Sequence, residues 1–351
     1  MYVLKEAFLY EKLADKKVRC NVCPRRCVIS LGKRGYCGTR LNEEGTLYTL
    51  IYAKCSSIAA DPVEKKPVFH FYPGSQVLSF GTLGCNLRCK HCQNWQIAHA
   101  RPDEKGSGLT EVSPEYAVDL AKRYDCQGLA WTYNEPTIWF EYTLDSARLC
   151  RENGLYTIYV TNGYITQEAL DMIGPYLDVF RVDIKGFTNE LYKKLSNVPD
   201  FSPILEAAIR AKKKWNMHIE AVTNVIPTYN DDENQLRGIA RWIKNSLGTN
   251  TPWHVTRFIP YLELSHLYPT PTKTLKRARE MGFEEGLSFV YVGNVPGHPG
   301  ENTYCPGCGR LVIERWGYSI TKYHIQGGKC QFCETDLNIV GSEVAERKLA
   351  T

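Results

Sequence analysis

The chain has 351 residues, 23% charged and 43% hydrophobic, the make-up of an ordinary globular protein long enough for a full core and more than one module. Its 43 basic and 38 acidic residues leave a net charge of +5, which argues against a nucleic-acid-binding face. No apolar run reaches the roughly 18 residues of a membrane span, and the charged N-terminus MYVLKEAFLYEKLADKK has no signal-peptide core.

The expected compartment is therefore the cytoplasm, where thiols stay reduced. Fourteen cysteines then need a reason other than disulfides. Four fall in 20–37, three in 85–92 and four in 305–333, while Cys55, Cys126 and Cys150 stand apart. Clustering of this kind points to metals.

Residues 1–70 are rich in Cys, Arg and Gly without a long periodic segment, and read as an irregular, metal-organised module followed by a loop, DPVEKKPVFHFYPGS. Cys20, Cys23, Cys27 and Cys37 are its candidate ligands. The basic residues around them would offset a dianionic site, and their spacing leaves zinc or a second iron–sulfur cluster open. Cys55 is an alternate ligand.

From residue 71 to 295 short apolar runs alternate with helical stretches. QVLSFGT (76–82), GLAWT (128–132), YTIYV (156–160), DVFRVDI (178–184), HIEAVTNVI (218–226), WHVTRFI (253–259) and LSFVYV (287–292) read as buried strands. SPEYAVDLAKRY opens a helix with Ser113 as N-cap and Pro114 at the first helical position. TIWFEYTLDSARLCRENG closes one at Gly154, and PTKTLKRAREMG another at Gly282. Six or seven βα units predict an α/β fold, a partial TIM-like (β/α)6 barrel with small Cys-rich modules at both ends. Functional residues belong at the C-terminal ends of its strands. Cys126 and Cys150 fall in barrel elements and read as small core residues.

Residues 296–351 return to cysteines and glycines. Cys305, Cys308, Cys330 and Cys333 form C-x2-C-x21-C-x2-C, two knuckles that suit a tetrahedral sulfur site. Structural zinc is favoured there over rubredoxin-like iron or an auxiliary cluster.

The central motif LSFGTLGCNLRCKHCQNW places Cys85, Cys89 and Cys92 as C-x3-C-x2-C directly after the first barrel strand. Thiolates are the usual ligands of iron–sulfur clusters, and a [4Fe–4S] cube takes four. Three leave one iron open for another ligand. A zinc knuckle completed by His91 is the competing assignment.

That spacing in that place resembles the radical SAM superfamily, and within it the glycyl-radical-enzyme activases such as pyruvate formate-lyase activating enzyme. The segments Cys20–Cys27 (CNVCPRRC), Asp61–Gly74 (DPVEKKPVFHFYPG), Cys85–Asn94 and Thr132–Thr137 (TYNEPT) are similar, in the same order, to those of the radical SAM member of the AmmeMemoRadiSam group. The resemblance implies that S-adenosylmethionine (SAM) chelates the open iron and is cleaved to methionine and a 5′-deoxyadenosyl radical, which abstracts hydrogen from a substrate. It implies a reductant such as ferredoxin or flavodoxin, association with other AmmeMemoRadiSam proteins, and a glycyl radical, a peptide, a protein side chain or a metabolite as target.

By the same resemblance Asn134 and Glu135 meet the SAM amino group. Thr161 and Asn162 end the third strand where activases carry Asp-Thr-Asn-Gly, but Val160 replaces the Asp, and a cation site there is in question. Asp183 and Lys185 alternate on one strand face and lie beside SAM, where Lys185 pairs with its carboxylate. Helix capping by Asn134 and a structural Asp183–Lys185 ion pair are the plainer roles. Asn224, polar in an apolar strand, is a candidate for the SAM ribose or carboxylate. His254, Thr256 and Arg257 are candidate cavity residues, and Trp95 an adenine-packing one. A zinc-ribbon nucleic-acid-binding or interaction protein, with the barrel as scaffold, is the alternative of another class.

Overall fold

The seven apolar runs all form strands, side by side and parallel. They are seen in a computed structural model that describes residues 4–102 and 108–345. An edge strand β1 (Ser57–Pro62) runs antiparallel to β2 (Gln76–Gly81). Then follow β3 (Gly128–Trp131), β4 (Tyr156–Thr161), β5 (Val179–Asp183), β6 (His218–Val225), β7 (Trp253–Arg257) and β8 (Val290–Gly293). Each pairs in parallel with the one before it. Spatial order follows chain order across the sheet, and among the described residues its edges β1 and β8 do not pair with each other.

The expected six-unit barrel is thus an open, mixed sheet with seven parallel strands. The strand β1 falls in the stretch read as an irregular module. It carries no continuous apolar run, because an edge strand is buried on one face at most, and its burial alternates.

Helices fill the crossovers: α1 (Pro114–Arg123), α2 (Phe140–Glu152), α3 (Gln167–Ile173), α4 (Asn189–Ser196), α5 (Ser202–Trp215), α6 (Glu233–Trp242) and α7 (Thr272–Glu284). Ser113 caps α1 by accepting from the Tyr116 N–H at 3.2 Å, with Pro114 at its first turn. Helix α2 stops at Glu152, just before left-handed Gly154, whereas α7 runs through Gly282 to Glu284. Trp131, Tyr159, Phe180 and Trp253 are fully buried in the core. No described helix is long and apolar enough to cross a membrane.

The register sets the strands' C-terminal ends along one rim, with Trp131 beside Phe80, Thr161 beside Val182 and Asp183 beside Val222. At the N-terminus, short antiparallel ribbons join Tyr10–Lys12, Val18–Cys20 and Val28–Ile29, and a second set joins Lys5–Glu6, Thr46–Thr49 and Arg40–Glu43. A buried ion pair, Arg40 Nη1 to Glu141 Oε1 at 2.6 Å, ties them to α2. Leu311–Trp316 and Ser319–Tyr323 form a C-terminal hairpin. All fourteen cysteines are free thiols, and Cys55, Cys126 and Cys150 are buried.

Candidate functional site

A cavity of about 440 Å³ opens at the rim, a size within the ~300–1,000 Å³ of ligand pockets. Its lining includes Cys85, Cys89 and Cys92, with Asn134, Glu135, Thr161, Asn162, Asp183, Lys185 and Asn224 from the ends of β3 to β6. Residues far apart in the chain converge because each follows a parallel strand pointing the same way.

The cysteine loop is held from several sides. Gly84 sits at φ +88°, and a Cβ there would lie 2.7 Å from the Cys37 carbonyl, so glycine is needed for both conformation and contact. The Leu87 N–H points at Cys85 Sγ from 3.4 Å, and Asn162 Nδ2 stands 3.8 Å from the same sulfur while donating to Asn86 Oδ1 at 2.9 Å. Burial pushes the Cys85 thiol well above its ordinary range, and that of Cys92 up to about 11. Such thiols are poor free nucleophiles, but a bound metal makes thiolates of them.

Asn134 does not cap a helix. Its Nδ2 donates to the Gly84 carbonyl at 2.8 Å and its Oδ1 accepts from Thr82 N at 3.1 Å, tying the cysteine loop to β3. The cap belongs to Glu135, whose Oε1 accepts from Thr137 N at 3.0 Å and Thr161 Oγ1 at 2.7 Å. Its Oε2 accepts from Asn162 N at 2.8 Å. Burial still raises this carboxyl, against the pull of those donors.

Lys185 Nζ donates to Asp183 Oδ2 at 2.8 Å, and Arg181 pairs with the other oxygen. Burial would raise the Asp183 pKa, but the two cations outweigh it and hold it at about 2. The ion pair and the cavity position therefore coexist. Arg181 went unread, although Arg181, Asp183 and Lys185 share one period-2 face. Its Nε is buried without a hydrogen-bond partner.

Asn224 Nδ2 donates to Thr256 Oγ1 at 3.2 Å. His254 and Thr256 line the cavity, and Arg257 is not among the lining residues. His254 Nε2 pairs with buried Glu220 at 2.6 Å, as a satisfied core histidine does. Trp95 is 39% exposed and is not among the lining residues, although Gln93 and Asn94 before it are. His91 does line it, and its buried Nδ1 has no hydrogen-bond partner. Burial holds that imidazole neutral, near a pKa of about 3. Lys65 and Lys66 also line it, from the loop after β1.

The group fits the donor set implied by the sequence. Three thiols face a cavity lined by Arg181, whose Nε is an orphaned buried donor, and by His91, whose buried Nδ1 has no partner, places where a polar ligand would be met.

At the other end of the chain, the sulfurs of Cys305, Cys308, Cys330 and Cys333 all lie within 4.8 Å of one another. Two of the spacings are 3.5 Å (Cys305–Cys333) and 3.8 Å (Cys308–Cys330). A single ion with metal–sulfur bonds of about 2.3 Å spaces its tetrahedral thiolates by roughly 3.8 Å. Among the described residues no other set of three or more Cys, His or carboxylate groups draws together so closely. The central three and the N-terminal four are spread more widely.

Residues 80–238 match the family described as the Radical SAM superfamily. The chain is 44% identical over 339 residues to uncharacterized protein MJ0808 of Methanocaldococcus jannaschii, covering 96% of this chain and 100% of that one. It is 26% identical over 185 residues to the pyruvate formate-lyase-activating enzyme of Clostridium pasteurianum, covering 49% of this chain and 71% of the relative. A radical SAM methyltransferase from Sphaerobacter thermophilus is similar in structure with a TM-score of 0.49 at 14% identity, over 66% of this chain and 71% of that one.

Proposed function

The chain belongs to the radical SAM superfamily, distantly related to the glycyl-radical activases, and on that premise we propose that its rim cavity binds SAM and cleaves it reductively. The observation that carries this is the convergence of Cys85, Cys89 and Cys92 with the polar ends of β3 to β6 on one cavity. Cys85, Cys89 and Cys92 would hold a [4Fe–4S] cluster, which would supply the electron for breaking the S–C5′ bond of SAM to methionine and a 5′-deoxyadenosyl radical.

The residues divide the remaining work. Glu135, Thr161 and Asn162 form one hydrogen-bonded wall that receives the SAM amino group. Asp183 orients Lys185 toward the SAM carboxylate. Asn134 and Asn162 fix the cysteine loop to its neighbours, and Asn224 faces the ribose side. The buried walls exclude water from the radical. Charged groups this deep are retained because the cavity uses them.

The C-terminal quartet holds zinc, and the sheet serves as a partial TIM-like barrel that takes its edge strand β1 from the module 1–70 and is followed by the module 296–351, in the cytoplasm. The substrate is a protein or peptide, and the reductant a ferredoxin or flavodoxin. The hairpin turn after Leu311–Trp316 supports a macromolecular substrate: Tyr318 lines the cavity while half exposed, and neighbouring Trp316 is 68% exposed. Other AmmeMemoRadiSam proteins are candidate partners.

Anaerobic reconstitution with iron, sulfide and a reductant tests this. SAM-dependent 5′-deoxyadenosine is expected from the wild type and none from Cys89→Ala. An intact cluster that yields no product would sink the proposal.

A further inference from the structure

The four N-terminal cysteines, like the central three, are not drawn together as the C-terminal four are. Cys20 and Cys27 face each other across a ribbon, the Cys20 N–H donating to the Cys27 carbonyl at 3.0 Å. Cys23 lies in the turn between them, its carbonyl accepting from Arg26 N at 3.0 Å. Cys37 comes in from the next loop, its sulfur 3.2 Å from Thr39 Oγ1. No three of these sulfurs come within 4.8 Å of one another, whereas all four of the C-terminal set do. One tetrahedral ion needs the tight spacing. A cube puts an iron at each ligand corner and holds its thiolates farther apart.

The quartet is also built into the wall of the central loop. The Cys37 carbonyl packs against Gly84, so closely that a Cβ would meet it at 2.7 Å, and Gly84 is bonded to Cys85. One van der Waals contact and one peptide bond therefore separate a residue of the first set from a residue of the second. Beside that contact, Arg25 stacks 3.6 Å from the Tyr36 ring centroid and donates to the Asn86 carbonyl at 2.5 Å. Arg88 donates back to the Tyr36 carbonyl at 3.0 Å.

We propose that Cys20, Cys23, Cys27 and Cys37 hold a second iron–sulfur cluster of the cube type, placed to hand electrons to the cluster at Cys85, Cys89 and Cys92. A low-potential one-electron carrier, a reduced flavin or iron–sulfur protein, loses one electron to the N-terminal cluster. That cluster returns to its oxidised state as the central one is reduced. The electron then enters the S–C5′ bond, leaving methionine and the radical with no proton moved. The relay rests on the function proposed above; the cluster assignment does not.

Metal and sulfide analysis of the anaerobically purified full chain decides the assignment. About eight irons and one zinc are expected in the wild type, and about four irons in the triple variant Cys85→Ala, Cys89→Ala, Cys92→Ala. A triple variant with no iron, in a protein carrying two zincs, overturns it. Electron paramagnetic resonance reads the adjacency. The reduced wild type should show a signal broadened by the neighbouring cluster, and the triple variant a narrow one. A wild-type spectrum without broadening overturns the placement. In a Cys23→Ser, Cys27→Ser variant that keeps the central irons and the zinc, 5′-deoxyadenosine formation driven by reduced flavodoxin should fall at least tenfold. An unchanged rate overturns the relay. Freeze-quench of the wild type needs no variant: the N-terminal signal should rise first, and a central signal rising first also overturns it. Both clusters present without SAM cleavage would sink the proposed function and leave the second cluster standing.

Discussion

The two cysteine quartets of this chain, C-x2-C-x3-C-x9-C at one end and C-x2-C-x21-C-x2-C at the other, reach different arrangements of their sulfurs. The C-terminal four sit on two knuckles, and their sulfurs have closed to the distances of a single ion. Gly307 makes its turn tight enough that an added Cβ would strike Thr335 Oγ1 at 2.2 Å. The N-terminal four are spread over a ribbon and a loop, and what orders them is the rest of the protein. Arg40 is buried against Glu141 of α2, Arg25 reaches Asn86 and Asn197, and Thr166 at the start of α3 donates to the Asn21 carbonyl at 2.7 Å. One quartet is drawn together by its own two knuckles; the other is organised by its surroundings, and with it the central loop.

The largest effect that would sharpen this contrast is loss of the zinc proposed for the C-terminal quartet. Structural zinc contributes about 10–16 kcal/mol in isolated fingers. Cys308→Ser with Cys333→Ser should therefore lower the melting temperature by many degrees and remove zinc, with the iron content unchanged. Iron falling in step would break the claim that the quartet is self-contained.

Next is the anchor of the N-terminal module. Glu141→Ala leaves Arg40 buried without its partner, at a cost of about 3–5 kcal/mol. Urea unfolding should show the loss, together with a drop in central iron. Stability lost with iron retained would separate module from loop.

Gly84→Ala acts at the contact itself. A left-handed backbone with a Cβ costs about 1–3 kcal/mol, and the Cys37 carbonyl must also retreat. Central iron content and the visible cluster absorption should fall further than the melting temperature predicts.

The smallest effect concerns Asp61, beside the loop that supplies Lys65 and Lys66 to the cavity. Burial would raise its pKa, but ammonium groups 2.7 Å away hold it at about 2. A depressed carboxylate adds stability above its ordinary pKa near 4, lost as pH falls toward 2. The stability gap between wild type and Asp61→Asn should shrink over that interval, measured by urea midpoints. A gap constant with pH would show that the ion pair contributes nothing.

Much of the fold and site was legible in the chain. The parallel strands show as short apolar runs, since burial on both faces demands them. The site residues of β3 to β6 stand out as polar groups where such runs end. Arg181 shares the period-2 face of Asp183 and Lys185 and was legible by alternation; its pairing with Asp183 was not read. The capping role offered as an alternative for Asn134 falls to Glu135, one residue nearer Pro136, because the partners of Asn134, Gly84 and Thr82, lie some fifty residues away. His91 fits a zinc ligand by spacing, and its burial beside Lys185 is a long-range fact.

The sequence by itself determined the cysteine clusters, the strand–helix alternation and the radical SAM motif, because these depend on local periodicity and spacing. Tertiary structure decided which sulfurs come close together and which module leans on which loop. Sulfur spacing and the contact of Cys37 with Gly84 depend on how distant segments pack, a property that no local window of residues contains.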